Sequence, residues 1–353
     1  MHRNNFDFLR LVFALSVVVT HAFPLSATNW TDPLGNWTND QICLSYIGVR
    51  GFFIISGYLI FQSLERSRNL VDYFWKRALR LWPALAVVLV LTVVLGQFVY
   101  DAALAGPYWS NREVWAYFPR NITLYALQPK VNGVFSSNPW ETTINGSLWT
   151  ISYEFTCYMA LAVLFFIRKW LNVTRVLLVL AYVAMFVGNV FFYYQISRHS
   201  FFINFGQAIE LGIFFAAGSI MAAFRYENFK HHLWVILGAL VLIVVGVWSG
   251  HFLKGFHFVG LPLLVMSLGV QSTPYLRDVG KKLGDMSYGI YIYGFPVQQA
   301  LYYFFHFNWL ALMLVSIPIV MLLGWLSWHL IEKRALLLKK VNPLAWLGVG
   351  KGA

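Results

Sequence analysis

Charged residues are scarce in this chain of 353 residues, because Asp, Glu, Lys and Arg together make up only 11% of it. A soluble domain carries about 25% charged residues, so a water-exposed surface of this size would be left uncovered. Hydrophobic residues reach 59%. These values exclude an ordinary soluble protein, a disordered chain and a nucleic-acid-binding protein built on a basic face. The composition is that of a polytopic membrane protein.

Cysteine is also scarce. Cys43 and Cys157 are the two that the sequence contains. Two cysteines cannot form a disulfide framework or a cysteine-based zinc site. As a separate expectation, we predict no metal site elsewhere in the chain.

Long apolar stretches recur along the whole chain. Ten of them approach the roughly 20 apolar residues that a membrane helix needs. We predict an all-α fold of about ten transmembrane helices, at Phe6–Phe23, Ile47–Leu64, Leu81–Tyr100, Leu148–Ile167, Val176–Gln195, Phe202–Phe224, Leu233–Ser249, Phe256–Val270, Leu283–Phe304 and Trp309–Ile331.

Basic residues outnumber acidic ones by 26 to 14. With both termini in the cytoplasm, nineteen of the 26 would lie inside and five outside, while Arg10 and Arg50 lie in or at spans. Lys and Arg accumulate in cytoplasmic loops, so this orientation is predicted, and the positive charge reflects topology. Because Asp7 and Arg10 interrupt the first apolar run, we interpret it as a retained helix and not as a cleaved signal peptide.

The first predicted helix carries Arg10 and His21. Eleven residues are close to three helical turns, so both side chains lie on one face, about 16 Å apart along the axis. Ionisable groups at membrane depth are candidates for function, and Asp7, one turn before Arg10, could pair with it. The alternative is that Arg10 extends to the inner interface while His21 hydrogen-bonds at the outer one.

The second predicted helix opens with Gly48, Gly51 and Gly57, whose spacing suits close helix packing. Arg50 lies among them at the outer rim, where it could hold an anionic group of a substrate. Ser56 is a candidate hydrogen-bond donor to an oxyanion.

A basic turn formed by Lys76, Arg77 and Arg80 precedes the third predicted helix. Two arginines three residues apart can bind phosphate oxygens in a bidentate manner. An anchor that contacts acidic lipid is the alternative for this turn.

Two glutamates lie at membrane depth with no basic residue within a helical turn. Glu154 follows Trp149 in the fourth predicted helix, and Glu210 lies in the sixth. Each needs a partner on another helix or must be protonated.

Two predicted outer loops, Pro24–Tyr46 and about 101–147, are rich in tryptophan. Their Trp residues fit either an interfacial aromatic belt or a surface that stacks on sugars.

These motifs together resemble the membrane acyltransferase-3 family, the O-acyltransferases of bacterial surface glycans, Nod factors and macrolides. The resemblance covers Phe6 to about Arg334 and rests on the order of these segments: Phe6-Asp-Phe-Leu-Arg10 with His21, Gly48–Tyr58, Lys76-Arg-Ala-Leu-Arg80, Gly146–Glu154, Leu283–Pro296 and Trp328–Lys333. The chain would then comprise an acyltransferase-like membrane domain over 1–335 and a cytoplasmic tail over 336–353.

The resemblance implies transfer of an acyl group, usually acetyl, from cytoplasmic acyl-CoA to a hydroxyl of an extracytoplasmic glycan or glycolipid. The family's Arg-x10-His pair corresponds to Arg10 and His21, and its Arg-x-x-Arg to Arg77 and Arg80. Two positions depart from the family pattern. Phe155 replaces a second glutamate, and Gly294 replaces a late histidine, which leaves His21 as the imidazole of the site.

We therefore expect His21, Glu154 and Ser56 to be catalytic. Four basic residues are expected to bind acyl-CoA, namely Arg10, Lys76, Arg77 and Arg80. Substrate contacts are expected from Asp7, Arg50 and Trp149. The expected location is the bacterial inner membrane, with the lipid bilayer as partner and no nucleic acid. A transporter or flippase of a glycan or small metabolite is the alternative function, although the chain shows no clear internal repeat.

Overall fold

The computed structural model describes residues 4–196, 199–200 and 203–341, and most of them are helical. The α-helices are α1 (Phe6–Leu25), α2 (Pro33–Trp37), α3 (Leu44–Arg66), α4 (Leu70–Phe98), α5 (Ala102–Ala105), α6 (Arg112–Asn121), α7 (Trp149–Ala162), α8 (Leu171–Ile196), α9 (Phe205–Ala223), α10 (His232–Trp248), α11 (Phe256–Gly269), α12 (Val279–Leu283), α13 (Ser287–Phe305), α14 (Trp309–Ser327) and α15 (Lys333–Leu337).

Other regular structure is sparse within these residues. Strands β1 (His199–Ser200) and β2 (Ile203–Asn204) form a short antiparallel pair between α8 and α9. A π-helix at Trp328–Glu332 joins α14 to α15.

Seven segments are long and apolar enough to cross a membrane: Phe6–Leu25, Leu44–Arg66, Leu70–Phe98, Gly146–Phe166, Leu171–Phe192, Phe205–Ala223 and Trp309–Lys340. The apolar helices α10 and α11 are shorter, and α13 carries several Tyr and Gln side chains that reduce its hydropathy. The chain thus has the architecture of an all-α polytopic membrane protein, as predicted. The count of ten spans and the cytoplasmic position of the termini stay predictions.

The expected tail over 336–353 is described only to residue 341. Residues 342–353 lie outside the described residues, as do the basic residues Arg3, Arg198 and Lys351.

The bundle is organised around α3, which packs against α1 on one side and α9 on the other. Glycines allow the second contact. A Cβ on Gly57 would lie 1.9 Å from the carbonyl oxygen of Phe215, and one on Gly218 would lie 2.0 Å from that of Ile54. Helix α13 packs between α1 and α14. Helices α1, α3, α4, α7 and α13 consequently surround a shared interior.

Candidate active site

A cavity of about 570 Å³ opens at the end of the bundle where α1 begins. Six cations line it, and we call it the basic cavity: Arg10, Arg66, Lys76, Arg77, Arg80 and Lys339. Three carboxylates, Asp7, Glu154 and Asp285, also line it. Cations therefore predominate, and the basic cavity is suited to a polyanion. The predicted basic turn and the predicted Arg10 thus meet in one place.

Helix α4 delivers three of these cations. The side chain of Asn69 caps the helix by accepting a hydrogen bond from the backbone N–H of Asp72 at 2.7 Å. Lys76 follows one turn later and pairs with Asp72 at 2.7 Å. Arg77 and Arg80 come next on the inward side of the helix, because the apolar residues after them pack into the core.

Arg77 is a buried cation, only 9% exposed, and it forms no ion pair with any residue that the structure describes. Its Nη2 donates to Ser63 Oγ at 3.2 Å, and its Nε has no partner. The rings of Tyr73 and Tyr158 lie 5.9 and 5.8 Å from the guanidinium carbon. A buried charge without a counter-ion costs free energy, so Arg77 is well suited to bind an anion from outside the protein.

Arg80 has the opposite environment. Its Nη2 donates to Asp285 Oδ2 at 2.7 Å and its Nη1 to Glu332 Oε2 at 3.2 Å. Glu332 is 1% exposed and also accepts from Ser327. Arg80 therefore joins α4 to the π-helix after α14 and to the turn before α13.

Arg10 belongs to the same ion network. Its Nη1 donates to Asp285 Oδ2 at 2.5 Å, so the expected pairing with Asp7 is replaced by one with Asp285. Ser287 donates to the second oxygen of Asp285 at 2.8 Å. Arg10 pairs with Asp285 because tertiary packing brings the turn before α13, and with it the Asp285 carboxylate, directly beside Arg10. Asp7 nevertheless lines the basic cavity.

A second, narrow cavity of about 50 Å³ lies deeper in the bundle, between α1, α3, α7 and α13. It shares four lining residues with the basic cavity, namely Arg10, Ser56, Glu154 and Tyr288. The two cavities therefore adjoin at these side chains. Thr150 and Tyr291 lie at the far side of the narrow cavity and hydrogen-bond to each other at 2.7 Å.

Glu154 has the interhelical partner that its isolation in the sequence required. Ser56 Oγ on α3 donates to Glu154 Oε1 at 2.6 Å, and the hydroxyl of Tyr158, one turn along α7, donates to the same oxygen. Ser56 and Glu154 thus meet at the junction of the two cavities. Neither of them hydrogen-bonds to His21 in the described part of the chain.

His21 lies nearer the other end of α1 and lines neither of these cavities. Its ring meets Phe295 edge-on, with centroids 5.5 Å apart, and Phe295 in turn contacts Trp140 at 5.7 Å. Phe295 follows Tyr291 of the narrow cavity by one helical turn. No described residue hydrogen-bonds to the imidazole, so both ring nitrogens are available to a ligand.

The remaining predicted contacts lie apart from the two cavities. Arg50 on α3 pairs with Glu210 on α9 at 2.6 Å and stacks on Tyr46, with 3.7 Å from the guanidinium carbon to the ring centre. Trp149 begins α7 and contacts the ring of Tyr153. A role for Arg50 or Trp149 in substrate binding stays a prediction.

Sequence reasoning gave no role to Asp285, Glu332, Tyr158 or Tyr291. The criterion that selected Glu154 excludes the first two, because Lys282 lies one turn before Asp285 and Lys333 directly follows Glu332. The roles of the two tyrosines depend on their contacts with other side chains in the fold, and no sequence pattern distinguishes them from the other tyrosines of the chain.

The family to which this architecture and site belong is shown by comparison. The model of a family described as an acyltransferase domain, acyltransferase-3, matches residues 3–329. The chain therefore belongs to the acyltransferase-3 family, and it is an O-acyltransferase of the integral-membrane type.

Two curated relatives match nearly the whole chain. An O-acetyl transferase of Shigella phage Sf6 is 30% identical over 342 residues, which are 95% of this chain and 97% of the relative. Nodulation protein 10 of Rhizobium leguminosarum bv. viciae is 28% identical over 371 aligned positions, which cover 96% of this chain and 94% of the relative. No solved structure matches the chain.

Proposed function

We propose that the protein transfers an acyl group, with acetyl as the first candidate, from cytoplasmic acyl-CoA to a hydroxyl of an extracytoplasmic carbohydrate. The observation that carries this proposal is Arg77, a buried cation without a counter-ion in a cavity lined mainly by cations. The donor in this scheme has the charge that such a cavity requires, because its nucleotide carries several phosphates.

The basic cavity fits the polar half of the donor. Arg77 would contact a phosphate through its guanidinium group, while Lys76 adds charge at the rim. Arg80 and Arg10 are already neutralised by carboxylates, so their contribution is to form a rigid wall. This division of roles refines the expectation that all four basic residues bind acyl-CoA directly.

The narrow cavity lies on the path that the extended arm of the donor would take, and it would have to widen to admit that arm. Its lining changes from charged at Arg10 to aromatic at Phe52 and Tyr291, as an uncharged chain that ends in a thioester would need. Ser56 and Glu154 lie at its entrance, where they can orient the amide groups of such a chain. The narrow cavity leads towards the level of Phe295, and therefore towards His21.

His21 would act as the general base. A neutral imidazole nitrogen can accept the proton of an acceptor hydroxyl, and no described residue hydrogen-bonds to either ring nitrogen of His21. The hydroxyl oxygen then attacks the thioester carbonyl, the C–O bond forms and the C–S bond breaks. The proton returns from the imidazole to the thiolate that leaves. Direct attack is written here, and an acyl-histidine would require one additional transfer.

A carbohydrate acceptor is supported by the outer segments. Trp140 is exposed beside Phe295, and tryptophan rings offer apolar faces to sugars. The relative named O-acetyl transferase supports acetyl as the group transferred. We accordingly assign the protein to the bacterial inner membrane, with donor and acceptor on opposite sides.

Sealed membrane vesicles test the proposal. Labelled acetyl-CoA is supplied outside inside-out vesicles, and label is measured by mass spectrometry on carbohydrate of the lumen. We expect label with the wild-type protein, little with Arg77→Gln, and wild-type label with Arg334→Gln, which removes an exposed cation of α15. Transfer of equal extent in right-side-out vesicles, or movement of a carbohydrate without acetyl-CoA, would contradict the proposal.

A further inference from the structure

A third cavity, of about 510 Å³, adjoins the basic cavity at the same end of the bundle. We call it the tail cavity. Its walls are the end of α3, the turn into α4, the first turns of α4 and the short helical turn that follows α15. Five cations line it: Arg66, Arg68, Lys76, Lys339 and Lys340.

The charge of the tail cavity is largely uncompensated. Asp72 is the carboxylate among its lining residues, and that group already accepts from Lys76 Nζ at 2.7 Å and from the backbone N–H of Arg68 at 3.0 Å. Among the residues that the structure describes, the side chains of Arg66, Arg68, Lys339 and Lys340 form no ion pair or hydrogen bond. Four cations converging on one concave surface without counter-ions are an anion-binding arrangement.

A hydrogen bond fixes the turn that carries the two lysines. Trp75 Nε1 on α4 donates to the carbonyl oxygen of Leu338 at 3.1 Å. This bond holds Lys339 and Lys340 against the start of α4. The segment that carries Lys339 and Lys340 therefore forms a wall of the tail cavity and does not extend freely into solvent.

The tail cavity and the basic cavity share Arg66, Lys76 and Lys339. A single ligand can therefore occupy both, with one anionic group near Arg77 and another beside Lys340. Asn69 also lines the tail cavity. Its Oδ1 is used in the helix cap, so its amide N–H groups remain available to a phosphate oxygen.

We propose that the tail cavity binds a phosphomonoester, and that the nucleotide portion of the acyl donor carries it. A phosphomonoester bears a charge of about −1.5 to −2 at neutral pH and offers three acceptor oxygens, which suits a cluster of lysine and arginine better than a single carboxylate would. This inference rests on the proposed function, because the donor must be a CoA thioester. An anionic lipid headgroup has the same chemistry and is the other source that the test must separate.

The test compares two donors, acetyl-CoA and 3′-dephospho-acetyl-CoA, which differ by one phosphomonoester. The proteins are the full chain and its Lys339→Gln/Lys340→Gln variant, each in nanodiscs of neutral lipid. The matched control is Lys333→Gln/Arg334→Gln, which removes two exposed cations of α15 that line neither cavity. Lys339→Arg/Lys340→Arg keeps the charge and should retain the wild-type behaviour.

We expect the Lys339→Gln/Lys340→Gln variant to raise the KM for acetyl-CoA about tenfold, as two partly exposed charge contacts can contribute. The KM for the dephosphorylated donor should rise by a clearly smaller factor, because Lys339 also lines the basic cavity, and the kcat for both donors should stay unchanged. Equal KM values for the two donors in the wild-type protein would overturn the inference. So would an effect of the lysine variant that appears only when anionic lipid is added, because the cavity would then bind a headgroup.

Failure of the proposed function gives a different result. The wild-type protein would then transfer acetyl from neither CoA thioester, and the inference would fall with it. A donor effect without any difference between the lysine variant and wild type would overturn the inference alone.

Discussion

Arg10 and Arg80 donate to the same oxygen of Asp285, at 2.5 and 2.7 Å, although they belong to α1 and α4. One carboxylate thus holds two helices and the turn before α13 together at the mouth of the basic cavity. The side chains of all three residues are largely buried. The wall that the donor would meet is therefore fixed by an internal ion network.

Asp285→Asn should destabilise the protein strongly. It removes the ion-pair partner of Arg10 and leaves Arg80 paired with Glu332 alone, and removing one partner of a buried ion pair costs about 3 kcal/mol or more. Thermal unfolding of the purified protein measures the effect. Asp278→Asn is the control, because Asp278 pairs with Arg277 at 3.7 Å on a more exposed surface, where a pair contributes less than about 1 kcal/mol. Similar losses of stability in both variants would contradict a central role for Asp285.

Arg77→Gln should change the KM for acyl-CoA, whereas Arg80→Gln should change the stability of the protein, although the two arginines lie one turn apart. Arg77→Gln removes a buried charge that has no counter-ion, so stability should be retained or increased. The KM for acyl-CoA should rise about tenfold or more, as loss of a charge-assisted contact predicts. Arg80→Gln should lower the unfolding temperature, because it leaves Asp285 and Glu332 partly unpaired. Steady-state kinetics and thermal unfolding of both variants check this, and equal changes in both measurements would contradict it.

Patterns local in the sequence were sufficient for the helical class of the fold, whereas the grouping of Arg10 with the basic turn came from the family resemblance. Helix periodicity placed Arg10 and His21 on one face, and the composition required a membrane. The partner of Arg10 could not be predicted in this way, because Asp285 is 275 residues away. Among the described residues, Arg80 forms ion pairs and Arg77 does not, and this difference also depends on which carboxylates the other helices place beside each arginine.

Ten spans were predicted and seven of the described segments are long and apolar enough, because α10 and α11 are short and α13 is less apolar. Helix α13 has a lower hydropathy because it carries polar groups that its neighbours use. Tyr288 donates to the carbonyl of Leu81, Tyr291 bonds to Thr150, and Gln299 holds the loop after Asn138. These polar groups lower the mean hydropathy of the helix, although the fold buries them in hydrogen bonds to neighbouring segments.

The pair of Arg50 and Glu210 allows a double-mutant cycle. Arg50→Met and Glu210→Leu should each destabilise the protein by about 3 kcal/mol, since each leaves a largely buried charge alone. The double variant should be more stable than either single variant, because no charge is then left unpaired. Thermal unfolding provides all four values. If the single losses simply add, the two residues do not act as a pair. A raised KM for the acceptor in the double variant would show that Arg50 also binds substrate.

His21→Ala should abolish transfer without unfolding the protein. No described residue hydrogen-bonds to the imidazole, and its ring contact is the edge-on approach to Phe295, so truncation should cost little stability. A general base contributes about 10²- to 10⁴-fold to the rate, and the loss should appear in kcat, because the KM for acyl-CoA depends on the distant basic cavity. His251→Ala is the control, since His251 is exposed and bonds only to the carbonyl of Ser249 among the described residues. Full transfer by His21→Ala would remove His21 from the mechanism and direct the search for the base to the junction of the two cavities, at Glu154.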